Sequence, residues 1–330
     1  MSDQKNHVGA VNTVLGPIEP SALGVTAIHE AVLSVVPGAQ YAHDISMDRS
    51  EIYDAIAPRL ERFAAAGGGT VVDNTGMFHG RDLRLLESLS RATGVHIVAS
   101  TGLGPEENLG GYFLTPQTNP PTPWPAEKFA DLLAQEVNDG MVVPRLERRA
   151  AAGLIITEAD KSGITPTEVS LFQGSARAAR TTGVPMSVRW GTDPLAELDI
   201  VLGEGVGADR VAVASMDRAS ASAHAVGVAQ RGAYVAIDHV GTNSSSEFIT
   251  DAQRAALVVE LIAAGYLEQI LLSSNSTAVS KGHEPNNVPL EFVLESFVPE
   301  LTKLGVSEAD VTRILTANPA TFLIVRPQSA

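Results

Sequence analysis

The sequence contains no cysteine, no long apolar run and comparatively few basic residues. Without cysteine, the chain has no disulfide framework, no thiolate metal site and no cysteine nucleophile. No segment has the roughly 18 consecutive apolar residues that a membrane-spanning helix needs. The 38 acidic residues outnumber the 23 basic ones and give a formal net charge of −15. Such a charge repels nucleic acid and anionic membranes, so we expect neither as a partner.

The chain does have enough apolar material for a large core. Its 330 residues are 44% hydrophobic, which suffices for one large barrel or two ordinary domains. We expect a single domain over 1–330, with a lead-in over 1–22 and a frayed tail over 324–330. The polar segment from Met1 to Asn12 lacks an apolar signal-peptide core, so the expected location is cytoplasmic.

Short apolar runs rich in β-branched residues alternate with amphipathic segments along the chain. The runs that predict strands are Val25–His29, Thr70–Asn74, His96–Thr101, Leu154–Thr157, Val184–Arg189, Arg210–Ser215, Tyr234–Asp238 and Ile270–Ser274. The segments with helical spacing include Glu51–Ala66, Asp82–Thr93, Ala126–Gly140, Thr167–Thr182, Pro194–Val206 and Asp251–Ala264. A strand followed by a helix, eight times over roughly 250 residues, predicts an α/β fold of the (β/α)8 barrel type.

The competing α/β arrangement is an open, doubly wound sheet. That fold normally has a glycine-rich phosphate loop after its first strand. Here Gly67-Gly68-Gly69 precedes a predicted strand, so these glycines are better explained as the end of a helix.

Two long connections follow predicted strands on the face where a barrel carries its chemistry. The first is Leu103–Pro125, which contains Tyr112, Phe113 and Trp124. The second is Asn275–Pro289. Long loops of this kind often form lids or substrate walls, and the alternative is surface decoration.

Several stretches carry a family resemblance that spans nearly the whole chain. They are Thr13–Pro17, Leu23–Glu30, Val72-Asp73 with Gly80–Asp82, Ile97–Gly102, Ala152–Ile155, Gly163–Pro166, Thr182–Pro185, Gly232–His239 and Asn318–Ala320. In these stretches, and in their order, the sequence resembles the phosphotriesterase family of the amidohydrolase superfamily. That family includes the phosphotriesterase-like lactonases.

The resemblance implies an amidohydrolase-type barrel that holds two divalent ions. The implied ligands are a His-x-His pair on strand one, a carboxylated lysine on strand four, a histidine each on strands five and six, and an aspartate on strand eight. Carried over residue by residue, only His29 matches. The other implied ligand positions hold Ala31, Ile156, Arg189, Ser215 and Asn275.

These replacements predict that the two-ion site is lost. Ala31 and Ile156 have no donor atoms, and Arg189 is a cation that stays protonated in a protein. A dication about 4–5 Å from a guanidinium is repelled by several kcal/mol in a protein-like dielectric. We therefore expect no metal and no other cofactor. The alternative is a single ion on relocated ligands drawn from His29, Glu158, Asp238 and His239.

A polar pocket is expected where the ions would lie. Residues two apart on a strand point the same way, so Glu158 is expected inward with Ile156, and Asp217 with Ser215. The predicted pocket residues are His29, Glu158, Arg189, Ser215, Asp217, Asp238, His239 and Asn275. A buried guanidinium needs a counter-charge, so Arg189 pairs with Asp238 or Glu158, binds a carboxylate or phosphate of a ligand, or stabilises an oxyanion.

His239 is the preferred acid-base candidate, because a carboxylate can fix its tautomer. Its neighbour in the chain is Asp238, but adjacent strand residues point to opposite sides. Its partner is therefore equally Asp217 or Asn275.

Two further candidates are weaker. His29 is either a catalyst or an ordinary hydrogen-bonded histidine. Ser215 as a nucleophile would need a histidine within hydrogen-bond reach. Trp190, Tyr112 and Trp124 are expected as an apolar wall, or as ordinary packing.

The resulting hypothesis is a metal-independent enzyme on a small, anionic organic substrate. Lactone or ester hydrolysis is the inherited expectation, and isomerisation, elimination or cyclisation by acid-base chemistry is equally compatible. The alternatives are a non-catalytic barrel that binds a small ligand or a partner, and a hydrolase with one relocated metal ion. The resemblance also implies a homodimer. The predicted catalytic residues are His29, His239, Asp238, Asp217 and Glu158, and the predicted substrate-binding residues are Arg189, Ser215, Asn275, Trp190, Tyr112 and Trp124.

Overall fold

The computed structural model describes residues 7–109, 114–115, 122–143 and 146–327. All eight predicted strands are present, and consecutive strands pair in parallel. They are β1 (Val25–Val35), β2 (Gly68–Asp73), β3 (His96–Leu103), β4 (Leu154–Glu158), β5 (Met186–Arg189), β6 (Val211–Val213), β7 (Tyr234–Ile237) and β8 (Ile270–Leu272). With helices between the strands, this is the (β/α)8 arrangement, and the predicted fold class is confirmed.

A ninth strand, Thr277–Lys281, extends the sheet beyond β1. It follows β8 after a short break and pairs in parallel with the second half of β1, where Thr277 lies opposite Ala31 and Lys281 opposite Val35. The prediction of a loop over Asn275–Pro289 is wrong for this part. The strand forms because β1 presents an unpaired edge to it, and that edge lies far away in the sequence.

The helices cover the outside of the sheet. They are α1 (Arg49–Ala65), α2 (Leu83–Thr93), α3 (Ala126–Asn138), α4 (Pro166–Thr182), α5 (Pro194–Leu202), α6 (Ala225–Gln230), α7 (Asp251–Ala263), α8 (Val298–Lys303), α9 (Glu308–Thr312) and α10 (Asn318–Leu323). Short strand pairs join Val11–Thr13 to Gly16–Ile18, Leu114–Thr115 to Thr122–Pro123, and Val142–Val143 to Glu147–Arg148. Among the helices of the described residues, none combines the length and apolar character that crossing a bilayer requires.

Side-chain caps set several helix boundaries. The Asp48 carboxylate accepts the free N–H groups at the start of α1, and Thr165 with Glu168 forms a reciprocal capping box on α4. At the far end of α1, Gly67 has a φ of 98°, a left-handed conformation that glycine adopts without a steric cost. The predicted helix end is therefore confirmed at Gly67, and β2 begins at the next residue.

Two apolar layers surround the strands. Residues of one alternation pack against the helices, and residues of the other fill the barrel. On β4, for example, Ile155 belongs to the outer layer, whereas Leu154 and Ile156 belong to the inner one. This alternation points the odd or the even residues of each strand toward the barrel axis, and so determines which polar side chains meet there.

The first and last parts of the described chain close one end of the barrel. Val11 and Phe322 are fully buried in the inner layer, and the Asn12 amide donates to the Ala152 carbonyl. Val325 is 1% exposed, and its N–H donates to the Ala10 carbonyl at 2.8 Å. The prediction of a frayed tail over 324–330 is therefore wrong for 324–327, because these residues complete the base of the barrel. Residues 328–330 lie outside the described residues.

Glu30, on β1, binds the backbone of the segment between β8 and the ninth strand. Its two carboxylate oxygens accept the backbone N–H groups of Ser274, at 3.0 Å, and Ser276. The side chain is buried, at 1% exposure. Burial raises the pKa of Glu30 to about 8, although both N–H groups act in the opposite direction.

This raised pKa predicts a pH dependence of stability. The folded chain binds the Glu30 proton more tightly than the unfolded chain, so this contribution is greatest below the ordinary pKa of 4.5 and is lost as pH rises to about 8. We expect Glu30→Gln to lower the melting temperature at low pH, because an amide nitrogen would face one of the N–H donors. We also expect it to flatten the decline in melting temperature between about pH 5 and about pH 8. Thermal unfolding across this range tests both effects, with the exposed Glu268→Gln as the control. Equal slopes in the two variants would contradict the prediction.

Candidate functional site

The first polar group at the carboxyl ends of the strands joins a serine, a histidine and an aspartate. His29 lies on β1, Ser187 on β5, and Asp238 directly after β7. The distance from His29 Nδ1 to Asp238 Oδ1 is 2.9 Å, and that from His29 Nε2 to Ser187 Oγ is 3.0 Å. All three side chains are buried, with exposures of 0 to 2%. The histidine therefore bridges a hydroxyl and a carboxylate across the barrel.

Asp238 is held as a carboxylate. The Ser215 N–H donates to Oδ2 at 2.6 Å and the Ser273 hydroxyl to Oδ1 at 2.9 Å. Burial acts to raise the pKa of Asp238, but His29, His239 and the Ser215 N–H together lower that pKa well below its usual range. An ionised carboxylate only accepts hydrogen bonds, so His29 donates from Nδ1 and keeps Nε2 free to accept the Ser187 proton.

The second group is built around His239. Its Nδ1 lies 2.9 Å from Asp217 Oδ1, and its backbone N–H donates to Asp217 Oδ2 at 2.8 Å. The amide of Asn275 lies 3.3 Å from Nε2, and the Phe248 ring stacks on the imidazole at a centroid distance of 3.6 Å. Both alternative partners, Asp217 and Asn275, therefore contact His239. The neighbouring Asp238 instead binds His29, because adjacent residues point to different sides.

A buried arginine supports this second group. The Arg254 Nε–H donates to Asp217 Oδ2 at 2.7 Å, and Nη1 donates to Asp251 at 2.7 Å. Burial acts to raise the pKa of Asp217, but His239 and Arg254 lower that pKa below its usual range. Asp217 therefore fixes the orientation of the His239 ring through Nδ1 and leaves Nε2 directed toward Asn275.

The third group is the ion pair of Arg189 and Glu158 at the mouth. These residues end β5 and β4 and lie opposite each other in register. Nη1 and Oε1 are 3.5 Å apart, and the side chains are 25% and 22% exposed. The charge of Glu158 raises the pKa of Arg189. Of the alternatives for Arg189, the structure has the pair with Glu158. The contact is long for a charge-assisted hydrogen bond, so the guanidinium keeps donors for a further anion.

Ser215 and Asn275 share an uncommon backbone conformation. Their φ values are 56° and 46°, and the described residues contain no other non-glycine residue with positive φ. Such conformations cost about 1–3 kcal/mol and persist only where neighbours hold them, as Asp238 holds the Ser215 N–H. No described residue forms a hydrogen bond with Ser215 Oγ. The structure therefore contradicts Ser215 as a histidine-activated nucleophile.

Of the three aromatic residues predicted to form a wall, the structure describes Trp190 and Trp124. Trp190 is 2% exposed and packs in the outer apolar layer, with the Arg218 guanidinium 4.6 Å from its ring. Adjacent residues point to opposite sides, so Trp190 points toward the helices while Arg189 points toward the barrel axis. Trp190 is therefore a residue of the outer apolar layer and not of the site. Trp124 is half-buried against Phe129, at a centroid distance of 5.6 Å. Tyr112 lies outside the described residues.

Sequence reasoning missed Ser187 and Arg254. Strand alternation contained a signal for Ser187, since an inward Arg189 implies an inward residue two positions earlier. Helical spacing contained one for Arg254, which lies on the buried face of α7 with Val258 and Leu261. In both cases a polar residue occupies a position that periodicity assigns to the interior.

The residues present do not fit the metal centre that the family resemblance implies. Ala31 and Ile156 offer only carbon, Arg189 brings a positive charge, and both nitrogens of His29 are hydrogen-bonded. Within the described ranges there is no group of three or more histidine, aspartate or glutamate side chains arranged to hold an ion. A relocated single ion fits no better, because Asp238 and His239 are bound to other side chains.

Fold and site together define a (β/α)8 barrel with paired acids and bases at the carboxyl ends of its strands. The phosphotriesterase family model matches residues 9–323, and the chain belongs to this family. It is 27% identical over 302 residues to the phosphotriesterase homology protein of Escherichia coli K12, covering 91% of this chain and 97% of that protein. It is 25% identical over 353 residues to the N-acetyltaurine hydrolase of Salmo salar, covering 96% and 98%.

Other relatives extend the comparison. The aryldialkylphosphatase of Saccharolobus solfataricus is 27% identical over 320 residues, with 92% of this chain and 96% of that protein covered. Among solved structures, the organophosphorus hydrolase of Deinococcus radiodurans superposes with a TM-score of 0.83 at 23% identity, covering 98% of this chain and 99% of that one. At this identity the superposition establishes the fold alone.

Proposed function

We propose that the protein is a metal-independent hydrolase of small esters, lactones or amides that carry an anionic group. The main observation is the pair of histidines, each oriented by a buried carboxylate, at strand ends where most of the implied metal-ligand positions no longer hold the implied ligand. The curated relatives support hydrolysis, since they are named as an N-acetyltaurine hydrolase and an aryldialkylphosphatase.

His239 is proposed as a general acid-base at the mouth. Asp217 fixes a proton on Nδ1, so Nε2 can take a proton from water or return one to a leaving group. The hydrogen bond from Asn275 to Nε2 is long, at 3.3 Å, and a water molecule or a substrate atom can replace it.

Arg189 is proposed to bind the anionic group of the substrate. It lies at the mouth, and its contact with Glu158 leaves guanidinium donors free among the described residues. Guanidinium groups bind carboxylates, phosphates and sulfonates through parallel N–H donors. The name of the N-acetyltaurine hydrolase from Salmo salar denotes an amide substrate with a sulfonate, which is the kind of molecule that this arrangement would accept.

The first test is hydrolysis after chelation. We expect protein dialysed against a chelator to keep its activity on a panel of anionic esters, lactones and N-acyl amides. We expect His239→Gln to lower kcat by about 10²–10⁴-fold, the usual worth of a general acid-base, while leaving the melting temperature nearly unchanged. The matched control is His283→Gln, which removes an exposed histidine bound to Ser34.

Elemental analysis of protein purified without chelator completes this test. Substoichiometric zinc, manganese and cobalt are the expected result. Activity that is lost in chelator and restored by one of these ions would overturn the proposal, because it would assign the reaction to a metal centre.

A second candidate function is a non-catalytic barrel that binds a small anion. The observation that favours it is the tight packing of His29, Ser187 and Asp238, which are 0 to 2% exposed. A binder would show a ligand-dependent rise in melting temperature that Arg189→Gln abolishes, and no product with any substrate. The same panel distinguishes the two functions.

A further inference from the structure

We propose that Ser187 is the nucleophile of a serine-histidine-aspartate triad with His29 and Asp238. This inference deepens the proposed hydrolase function and rests on it. Such triads are recognised by geometry, since they occur on unrelated folds with different chain orders. Here the hydroxyl lies 3.0 Å from one imidazole nitrogen, and the carboxylate lies 2.9 Å from the other. Both distances are within the reach that nucleophile activation requires.

The aspartate is equipped for the orienting role. Asp238 accepts the Ser215 N–H and the Ser273 hydroxyl as well as His29, so its position and charge are fixed before any ligand binds. Because both Asp238 oxygens accept hydrogen bonds from the serines, Nδ1 of His29 is the donor in its contact with Asp238. The other nitrogen then faces Ser187 as an acceptor, which is the tautomer that a general base needs.

The position of Ser187 relative to Arg189 connects the triad to the substrate. The two residues are separated by one residue on β5, so their side chains leave the strand on the same side. Successive same-side residues lie about 6–7 Å apart along a strand. A substrate whose anionic group binds Arg189 therefore has its reactive carbonyl, a few bonds away, near Ser187.

The proposed reaction is acyl transfer in two stages. Ser187 Oγ attacks the carbonyl carbon while its proton moves to His29 Nε2, and that proton then passes to the leaving oxygen or nitrogen as its bond to carbon breaks. Water, hydrogen-bonded to Nε2 of His239, next attacks the acyl-serine and gives one proton to His29. The acid is released as the bond from the carbonyl carbon to Ser187 Oγ breaks, and Ser187 recovers its proton from His29.

Burial limits the size of the acyl group. Ser187 is 2% exposed, and Ile156, its opposite neighbour on β4, is 8% exposed and offers only methyl and methylene groups. The surroundings of the hydroxyl are therefore enclosed and partly apolar. We infer that the transferred acyl group is short, of the size of acetyl.

The test uses a small serine reagent, methanesulfonyl fluoride, on the full chain. We expect one methanesulfonyl adduct by intact mass, mapped by peptide sequencing to Ser187, with hydrolysis lost in proportion to the labelling. Ser187→Ala should give no adduct. Ser175→Ala, which removes another fully buried serine far along α4, should label as the wild type does.

A second variant keeps the test valid if Ser187→Ala unfolds. The chain has no cysteine, so Ser187→Cys introduces a single thiol. A thiol beside His29 should form a thiolate and react with iodoacetamide at least about tenfold faster at neutral pH than the buried thiol of Ser175→Cys. Equal rates in the two variants would overturn the proposed activation of residue 187.

The outcomes separate this inference from the proposed function. If the reagent does not label Ser187 in a protein that hydrolyses substrate, or if Ser187→Ala still hydrolyses substrate, the triad is overturned and the hydrolase function remains intact. Labelling at Ser187 without turnover of any ester, lactone or amide would support the activated serine and count against the hydrolase function.

Discussion

Replacing Arg254 with methionine is expected to lower the free energy of unfolding by about 3–5 kcal/mol. Arg254 is fully buried and donates to Asp217, to Asp251 and to the Thr242 carbonyl. Methionine is unbranched and apolar and fills a similar space, so the loss arises chiefly from the missing charge. Without the guanidinium, the Asp217 carboxylate stays buried with only His239 and the Asp238 N–H, at 3.4 Å, to offset its desolvation.

Chemical denaturation measures this loss. The matched control is Arg313→Met, which removes an arginine whose ion pair with Glu268 is largely exposed, at 45% and 77%. We expect the control to cost less than about 1 kcal/mol, as exposed ion pairs do. Equal stability of the two variants would show that the buried network does not stabilise the barrel.

We also expect Arg254→Met to reduce turnover, because Asp217 would no longer hold His239 in place.

Asp238→Asn is expected to reduce hydrolysis by about 10⁴-fold, the effect of losing the orienting carboxylate of a triad. An asparagine that turns its amide nitrogen toward His29 would favour the tautomer in which Nδ1 accepts and Nε2 is protonated. His29 could then no longer take the Ser187 proton. Steady-state kinetics measure this loss, and Asp199→Asn, at an exposed ion pair with Arg231, is the control. Activity within about tenfold of the wild type would rule out a role for Asp238 in orienting the base.

The same substitution changes the acid stability. The folded-state pKa of Asp238 lies below its ordinary value, so its contribution to stability is present above the ordinary pKa of 3.8 and is lost as pH falls. Asp238→Asn should be less stable than the wild type at neutral pH, and the difference should shrink as pH falls through about 4 and below. Thermal unfolding at low and neutral pH measures the difference. A constant difference would show that the aspartate charge is not what stabilises the fold.

The barrel was predictable because its strands and helices have local signals. Each strand contains a short apolar run, and helices such as α1 and α4 begin at capping residues visible in the chain. Less predictable was the length of β1, which extends from the predicted His29 to Val35. That extension exists because Thr277–Lys281 pairs with it, and pairing between distant segments leaves no local pattern.

The polar site was also predictable only in part from the sequence. Counting along a strand in twos assigned Glu158 and Asp217 to the interior, and the family resemblance placed Arg189 there. The loss of metal donors at Ala31 and Ile156 was also visible in the sequence. The pairs themselves were not visible. The sequence offers more than one possible acidic partner for each histidine and for Arg189. Only the distances in the structure show that His239 binds Asp217, that His29 binds Asp238, and that Arg189 binds Glu158.

By itself, the sequence determined the family, the barrel, and the chemical types of side chain that face its axis. The family follows from the motifs and their order, whereas the barrel and its inward side chains follow from periods of two and of 3.6 residues, and all of these are local properties. The tertiary structure alone decided which of these side chains hydrogen-bond to one another. It therefore decided that Ser187, and not Ser215, lies beside His29, because neighbouring strands set the distance between residues far apart in the chain.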